Sequence, residues 1–276
     1  MPAQVQPGNT RGYLIPIGGA EDRVHNREIL QRFIDVCGED PNIVVIPTAS
    51  ALPDTGPSYV EIFETLGAKK GHVLHLRDRA ECESDRTRER LEKADGVFIT
   101  GGNQLRLSTT IGGTEAARLL RSRNASGMPI AGTSAGAAIM PEHMIAGGET
   151  GGTPQAEMTT LAPGLGLSNK ILIDQHFRQR DRIGRLLAAI SYNPFPLGLG
   201  IDEDTAAFID GDDRFEVVGS GGITILDPSH LKFSAAAETP QGRAVCMIDL
   251  RLHVLTPGCR YDITTRMASP PDRATH

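Results

Sequence analysis

The chain has 276 residues, of which 39% are hydrophobic and 22% charged, proportions that are ordinary for a soluble globular protein. Its formal net charge of −6 argues against a nucleic-acid-binding protein, since such proteins usually present a basic surface. No stretch approaches the roughly 20 apolar residues that span a bilayer, and residues 1–11 carry no apolar signal segment, so we expect a cytoplasmic protein without a membrane partner.

Short apolar runs alternate with longer amphipathic runs over the first two thirds of the chain. The predicted strands are residues 13–17, 43–47, 72–76, 96–100, 129–132 and 171–174. The predicted helices are residues 21–36, 58–66, 82–93, 114–123 and 182–189. This alternation predicts an α/β fold in which helices flank a mostly parallel sheet. Active sites in such sheets lie outside the carboxyl ends of the strands, so we expect the loops after Thr100, Gly132 and Asp174 to form the site.

Strand-like runs follow one another directly after about residue 196. They cover residues 197–209, 215–218, 223–226 and 244–255, with turn residues between them. This predicts a β-rich, antiparallel extension over about residues 205–262, which either completes the sheet or adds a second small one. No linker rich in Pro, Gly or Ser divides the chain, so we expect one domain over residues 1–276 that ends in a short flexible tail at 268–276.

The strongest motif is Gly132-Thr-Ser-Ala-Gly136, which fits G-x-S-x-G. In a nucleophile elbow of this kind, the serine lies on a sharp strand-to-helix turn that exposes its hydroxyl group. The predicted strand before the motif and the helix-like stretch after it match that context. We therefore predict Ser134 as the nucleophile and the amide of Ala135 as one oxyanion donor. The alternative is a glycine-rich turn that only connects the two elements.

A second oxyanion donor is expected at Gly101 or Gly102, directly after a predicted strand. A glycine amide can approach a substrate carbonyl closely because no side chain intervenes. A phosphate-binding loop is the alternative interpretation of these glycines. However, neither G-x-G-x-x-G nor G-x-x-x-x-G-K-[ST] occurs here, which argues against nucleotide binding.

A serine nucleophile needs a base, which is most often a histidine. Of the eight histidines, His176 is the best candidate, because it follows a predicted strand and should lie on the same rim as Ser134. The base in turn needs an acid that orients it. Asp202, Glu203 and Asp204 are the candidates, and the residues alone leave the choice among them open.

Three arginines, Arg180, Arg182 and Arg185, cluster beside the predicted base. Guanidinium groups form paired hydrogen bonds with carboxylates, and Asp174 could meet a substrate guanidinium in the same way. A zwitterionic substrate that alternates the two charges would satisfy both kinds of residue. The alternative interpretation of this charged segment is a solvated start of a helix.

Together these motifs resemble the cyanophycinases, relatives of dipeptidase E on a glutamine-amidotransferase-like fold. The resemblance covers most of the chain, and its motifs are Gly18-Gly-Ala-Glu-Asp22, Thr100-Gly-Gly-Asn-Gln-Leu-Arg106, Gly132-Thr-Ser-Ala-Gly-Ala137, Asp174-Gln-His-Phe177 and Gly200-Ile-Asp-Glu-Asp-Thr-Ala206. It implies Ser134, His176 and Glu203 as a catalytic triad. The substrate pocket that it implies is formed by Gln104, Asp174, Gln175, Arg180, Arg182 and Arg185.

The resemblance also implies a reaction, in which a serine-type hydrolase degrades cyanophycin (multi-L-arginyl-poly-L-aspartate) to β-Asp-Arg dipeptides. It implies a homodimer that uses no metal and no organic cofactor. The four cysteines form no C-x-x-C pair, so reduced thiols are expected rather than disulfides or a metal site. The rival functions are an aspartyl dipeptidase with the same triad and a catalytically silent peptide-binding protein. Whether the glycine-rich loop 147–153 is a mobile lid or a static turn stays open at this point.

Overall fold

The structure is a computed structural model, and it describes residues 1–272. The helices are α1 (Glu28–Val36), α2 (Thr55–Thr65), α3 (Arg79–Glu83), α4 (Asp85–Glu92), α5 (Gln104–Ile111), α6 (Glu115–Ala125), α7 (Ala135–Ala138) and α8 (Ile183–Tyr192). The strands are β1 (Leu14–Ile17), β2 (Asn42–Ile46), β3 (Lys70–Val73), β4 (Gly96–Ile99), β5 (Ile130–Thr133), β6 (His143–Gly148), β7 (Thr159–Pro163), β8 (Ile171–Gln175), β9 (Leu197–Ile201), β10 (Thr205–Ile209), β11 (Arg214–Gly219), β12 (Ile223–Asp227), β13 (Phe233–Ser234), β14 (Met247–Ile248), β15 (Arg251–Leu255), β16 (Arg260–Asp262) and β17 (Met267–Ser269). Over these described residues, no helix is both long and apolar enough to cross a membrane.

The largest sheet has nine strands in the order β17-β16-β11-β10-β1-β5-β4-β2-β3. Five neighbouring strands of this sheet, β1, β5, β4, β2 and β3, run parallel to one another. Leu14 of β1 lies beside Ile130 of β5. The strands β10, β11, β16 and β17 continue the sheet in antiparallel orientation. The predicted α/β class, with a parallel sheet, flanking helices and antiparallel strands towards the C-terminus, is therefore confirmed.

A second sheet of four strands, in the order β15-β12-β9-β8, contains the strand predicted at 171–174. This strand, β8, pairs in parallel with β9 rather than with the main sheet. The single strand predicted at 197–209 is wrong, because the chain turns at residues 202–204 and passes from β9 in the second sheet to β10 in the first. Apolar residues continue on both sides of this turn, so hydrophobicity alone does not reveal it.

Two of the predicted helices are shortened or divided. Helix α1 begins at Glu28 rather than at residue 21, because the Asp22 carboxylate accepts hydrogen bonds from the amides of residues 24, 25 and 26 at 2.8, 2.9 and 2.8 Å. These bonds hold the pKa of Asp22 down at about 2. The helix predicted at 82–93 is two helices, α3 and α4, since Ser84 accepts a hydrogen bond from the amide of Thr87 at 3.2 Å and so caps the second one.

The predicted boundaries also differ at three other places. The strand β3 begins and ends earlier than the predicted residues 72–76. The antiparallel hairpin of β6 and β7 is absent from the sequence prediction. The tail predicted at 268–276 is wrong at its start, because β17 pairs with β16 and forms the edge of the main sheet. The residues 273–276 of that tail lie outside the described part of the chain.

Aromatic side chains pack between the main sheet and the helices α1 and α2. Phe33, Phe63 and Phe98 are fully buried, and the ring centroids of Phe63 and Phe98 lie 5.1 Å apart. Burial of one such side chain contributes on the order of 1.5–3 kcal/mol to folding. Since Phe98 lies on β4, this core fixes the strand that leads into the Gly101-Gly102 loop.

Candidate active site

The predicted nucleophile lies on a sharp turn between β5 and α7. Ser134 has φ +52° and ψ −112°, a backbone conformation that residues with a side chain rarely adopt. The turn also requires a glycine two residues later, since a Cβ at Gly136 would lie 2.1 Å from the carbonyl oxygen of Ile99. The G-x-S-x-G motif therefore forms the strand-turn-helix geometry that the sequence predicts.

Hydrogen bonds connect Ser134, His176 and Glu203 in a line. The Ser134 Oγ lies 2.9 Å from His176 Nε2, and His176 Nδ1 lies 2.6 Å from Glu203 Oε1. A carboxylate at Nδ1 requires the imidazole proton there, which leaves Nε2 as the acceptor that faces the serine hydroxyl. Ser134 and His176, which follow the ends of two different strands, are thus brought together although they are 42 positions apart in the sequence.

The structure distinguishes Glu203 from its two acidic neighbours. The Asp202 carboxylate accepts hydrogen bonds from the amides of Arg178 at 3.1 Å and Gly222 at 3.2 Å. The Asp204 carboxylate accepts one from the amide of Asp22 at 2.9 Å. Both neighbours therefore hold loops together, and only Glu203 of the three contacts the imidazole.

Burial lowers the pKa of His176 below the ordinary value of 6.5. The hydrogen bond to Glu203 acts in the opposite direction, and the positive charges of Arg180 and Arg182 lower the pKa further. A lowered pKa means that the imidazole is neutral at pH 7, which is the form that can accept a proton from a serine hydroxyl.

A glycine near the N-terminus makes room for the imidazole. A Cβ at Gly19 would lie 2.3 Å from His176 Cε1, and Gly19 has φ +100°. The preceding residue, Gly18, accepts a hydrogen bond from the His176 amide at 2.8 Å through its carbonyl oxygen. The motif Gly18-Gly-Ala-Glu-Asp22 was singled out in the sequence, but its contact with the base could not be deduced there.

The loop after β4 faces the nucleophile. A Cβ at Gly101 would lie 3.2 Å from Ser134 Cβ, so the backbone of this loop approaches the serine closely. Gly102 has φ +138° and lines the same cleft as Ser134. Ala135 is buried directly after the nucleophile, at the start of α7. The two predicted oxyanion donors therefore lie on the loop after β4 and at the first residue of α7, on either side of Ser134.

Ser134 and His176 open into a cleft of about 610 Å³. One acidic residue that the sequence analysis missed, Glu21, lines this cleft and is only 5% exposed. Its carboxylate accepts hydrogen bonds from the Tyr59 hydroxyl and, at 2.5 Å, from Thr133 Oγ1. Burial and the nearby Glu21 carboxylate raise the pKa of Tyr59, so Tyr59 stays a proton donor in this network. Since Thr133 precedes the nucleophile, Glu21 helps to fix the turn that carries Ser134.

Three residues of the predicted substrate pocket form a buried charge cluster, which consists of Asp174, Arg182 and Arg185. The Arg185 guanidinium binds both Asp174 oxygens, with Nε 2.6 Å from Oδ2. Arg182 Nη1 lies 3.4 Å from Asp174 Oδ1 and 3.0 Å from Gln175 Oε1. The carboxylate of Asp174 is therefore already paired inside the protein. Burial lowers the pKa of Arg182 to about 10, against the opposing influence of Asp174.

Of the other three predicted pocket residues, Gln175 contacts the cluster through Arg182, whereas Gln104 and Arg180 lie apart from it. Gln104, at the start of α5, donates a hydrogen bond to the carbonyl oxygen of Ala146 at 3.0 Å. Arg180 is exposed in a short 3₁₀ helix, Arg178–Arg180. The loop 147–153 packs on the start of α8, where Gly151 accepts a hydrogen bond from the Gly184 amide at 2.8 Å. The residues 174, 182 and 185 thus meet one another, whereas 104 and 180 face different neighbours.

The comparison with known families gives one match that covers most of the chain. The model of Peptidase family S51 matches residues 14–217, from β1 to β11. The chain belongs to this family. The matched range of this S51 member contains Ser134, His176 and Glu203, together with the loops on which they lie.

Curated relatives of this S51 member extend the match towards the C-terminus. A protein named cyanophycinase from Trichormus variabilis is 43% identical over 267 residues, which are 96% of this chain and 90% of that protein. The cyanophycinase of a Nostoc species is 42% identical with the same coverage. The cyanophycinase of Geminocystis herdmanii is 43% identical over 92% of this chain and 95% of its own.

Solved structures with the same fold are more distant in sequence. A peptidase from an acI-B1 actinobacterium superposes with a TM-score of 0.64 at 20% identity, and the match covers 87% of this chain and 98% of that one. A putative peptidase E from Listeria monocytogenes gives a TM-score of 0.50 at 20% identity over 75% of this S51 chain and 97% of its own. At this identity the likeness bears on the fold alone.

Proposed function

We propose that this S51 peptidase degrades cyanophycin to β-Asp-Arg dipeptides through an acyl-enzyme on Ser134. The observation that carries the proposal is the hydrogen-bonded line from Ser134 through His176 to Glu203, open to a cleft of about 610 Å³. The choice of substrate is supported by three relatives named cyanophycinase that are 42–43% identical over 92–96% of the chain. The polymer carries one guanidinium and one carboxylate on each Asp-Arg unit, which suits a site with charged walls.

In the first half of the reaction, His176 Nε2 accepts the hydroxyl proton of Ser134. The Oγ atom then forms a bond with the carbonyl carbon of a backbone amide in the poly-aspartate chain. Charge develops on the carbonyl oxygen, where the amides of Gly102 and Ala135 donate hydrogen bonds to it. Glu203 stabilises the imidazolium that forms, because it accepts the Nδ1 proton of His176 at 2.6 Å.

In the second half, the carbon–nitrogen bond breaks as His176 donates its proton to the leaving amine. The acyl group stays on Ser134 as an ester. A water molecule then gives a proton to His176 and attacks the ester carbon, and His176 returns that proton to Oγ as the ester bond breaks. The cycle ends with free enzyme, and no proton is gained or lost by the triad.

We further propose that the charged residues next to His176 recognise the Asp-Arg side chains. Gln104, Asp174, Gln175, Arg180, Arg182 and Arg185 are the residues assigned to this role by the resemblance. Asp174, Arg182 and Arg185 are buried and already paired with one another, so Arg180 is the residue of this set that is best placed to receive a substrate carboxylate. Arg180, which is exposed, can do so without breaking an internal ion pair.

The proposal also includes a cytoplasmic homodimer. Free thiols at all four cysteines suit a reducing compartment. Two aliphatic side chains on β15, Leu252 and Val254, are 51% and 64% exposed at the edge of the second sheet. Exposed apolar side chains that share a strand face are typical of a surface that a partner subunit covers.

The test is to incubate the purified protein with insoluble cyanophycin and to identify soluble products by mass spectrometry. We expect the wild type to release β-Asp-Arg and Ser134→Ala to be slower by a factor on the order of 10⁶. Ser126→Ala, which changes an exposed serine directly after the C-terminal end of α6, serves as the matched control.

Two outcomes would contradict parts of the proposal. Undiminished release by Ser134→Ala would show that Ser134 is not the nucleophile. An intact polymer combined with cleavage of short aspartyl peptides would replace the polymer reaction by that of an aspartyl dipeptidase with the same triad.

A further inference from the structure

A second cavity lies beside the cleft that contains Ser134. This accessory groove has a volume of about 570 Å³ and is lined by His75, Arg77 and Arg106 together with part of the segment 47–53. Residues 50, 51 and 52 line both the groove and the cleft, so a single wall separates the two. A chain that leaves the cleft across this wall enters the groove directly.

The wall between the two cavities is held in place by several bonds. The Asn103 amide donates a hydrogen bond to the carbonyl oxygen of Ala49 at 2.9 Å, and the hydroxyl groups of Ser50 and Thr55 lie 2.8 Å apart. Arg106 Nη1 donates to the carbonyl oxygen of Ser50 at 3.2 Å, so its guanidinium is fixed at the wall. These bonds fix the shape of the groove on the side of the wall.

The charge of the groove is of one sign. Of the described residues that line it, none is acidic, whereas both of its arginines are exposed and form no ion pair within residues 1–272. Elsewhere in the protein, buried arginines are neutralised, as Arg185 is by Asp174. Two unpaired guanidinium groups on a concave surface provide a binding site for a carboxylate.

We propose that the accessory groove binds the free carboxylate of an Asp-Arg unit outside the pair of units that flanks the scissile bond. This inference rests on the proposed function, because cyanophycin supplies such a carboxylate on every unit. The guanidinium of the same unit lies at the other end of the arginine side chain and can stay in solvent. The groove thereby makes the enzyme prefer a long segment of polymer over a short one.

The test compares synthetic segments of two and of about six Asp-Arg units with three proteins. These are the wild type, the double variant Arg77→Met/Arg106→Met, and the control Arg86→Met. Methionine keeps the length of the side chain and removes its charge. Arg86 is an exposed arginine on α4 that lines neither cavity.

We expect kcat/KM of the double variant to fall about three- to tenfold on the long segment, the size typical of a few exposed charge pairs, and to stay unchanged on the short one. The wild type should lose the same factor on a long segment whose outer arginines carry carboxamides in place of carboxylates. It should also lose it at high salt, which screens exposed charges. Arg86→Met should match the wild type on both segments.

The outcomes separate this inference from the function on which it rests. If the wild type cleaves both segments but the double variant shows the same preference for the long one, the groove does not bind substrate and the proposed reaction stands. Equal losses on short and long segments would likewise exclude a site outside the scissile pair. If the wild type cleaves neither segment, the proposed function itself fails and the groove has no such carboxylate to bind.

Discussion

Two groups of polar residues meet at the C-terminal end of β8, one around Asp174 and the other around His176, and they differ in their exposure to solvent. The charge cluster of Asp174, Arg182 and Arg185 is closed off from solvent, and Asp174 is only 1% exposed. The proposed triad of Ser134, His176 and Glu203 borders the cleft through its first two residues, and 35% of the Glu203 side chain is exposed. Loss of a partner leaves an uncompensated buried charge in the first group, whereas in the second it leaves a buried but neutral imidazole or a carboxylate that is partly exposed.

Because of this difference, we expect substitutions at positions only two residues apart to affect different properties of the protein. The charge cluster should affect mainly the free energy of unfolding, whereas the triad should affect mainly the rate of the reaction. The strand β8 and the turn after it serve both purposes, since Asp174 and His176 are two positions apart. Single substitutions can therefore test the two groups independently.

After Ser134→Ala, the largest expected effect is a loss of reaction rate in Glu203→Gln. Glutamine keeps the size of the side chain but not the negative charge that stabilises the imidazolium and fixes its Nδ1 proton. We expect kcat to fall by about 10²–10⁴-fold, with the melting temperature nearly unchanged. Glu39→Gln, at an exposed loop position, is the control. A variant with wild-type kcat would show that Glu203 does not act on His176.

The next effect is on stability, with Asp174→Ala. Two buried arginines lose their partner, so we expect the free energy of unfolding to fall by about 3–5 kcal/mol in denaturant titrations. The control, Asp85→Ala, breaks the exposed ion pair of Arg88 and should cost about 0–1 kcal/mol. Equal losses in the two variants would mean that burial of the charge cluster has no energetic consequence.

The smallest effect is on the pH dependence, with Arg180→Met. The positive charge of Arg180 lowers the pKa of His176, because it destabilises the imidazolium. Its removal therefore raises that pKa, and the acid limb of kcat/KM moves to higher pH. Arg178→Met is the control, because Arg178 pairs with Asp202 instead. An acid limb that stays in place, or that moves to lower pH, would contradict this assignment of charges.

The sequence predicted those parts of the site that depend on local geometry. A strand followed by G-T-S-A-G specifies the turn at Ser134 within five residues, because small side chains are needed there for steric reasons alone. His176 was predicted as the base because it follows a predicted strand, and the carboxyl ends of the strands were expected to form the site. The residue so predicted does lie beside Ser134, although β8 belongs to the second sheet.

The parts that could not be predicted depend on contacts between distant segments. The residues alone did not identify the acid, because Asp202, Glu203 and Asp204 are equivalent in pattern. In the structure, Asp202 and Asp204 bind backbone amides, and Glu203 is the one of the three that contacts the imidazole. The closeness of Gly19 to His176 depends on how the two sheets meet. Likewise, no periodicity shows that Asp174 is paired inside the protein rather than offered to a substrate.

Backbone strain at two residues of the site lowers the stability of the protein, and this affects how its sequence can evolve. Ser134 and His176 both have positive φ, at +52° and +49°, and such strain costs on the order of 1–3 kcal/mol at each position. Glycine would relieve the strain at either position while deleting a side chain that the proposed reaction needs. A copy of this gene released from selection for activity would therefore gain stability by drifting at these two sites, so the functional sequence is kept below its own stability optimum.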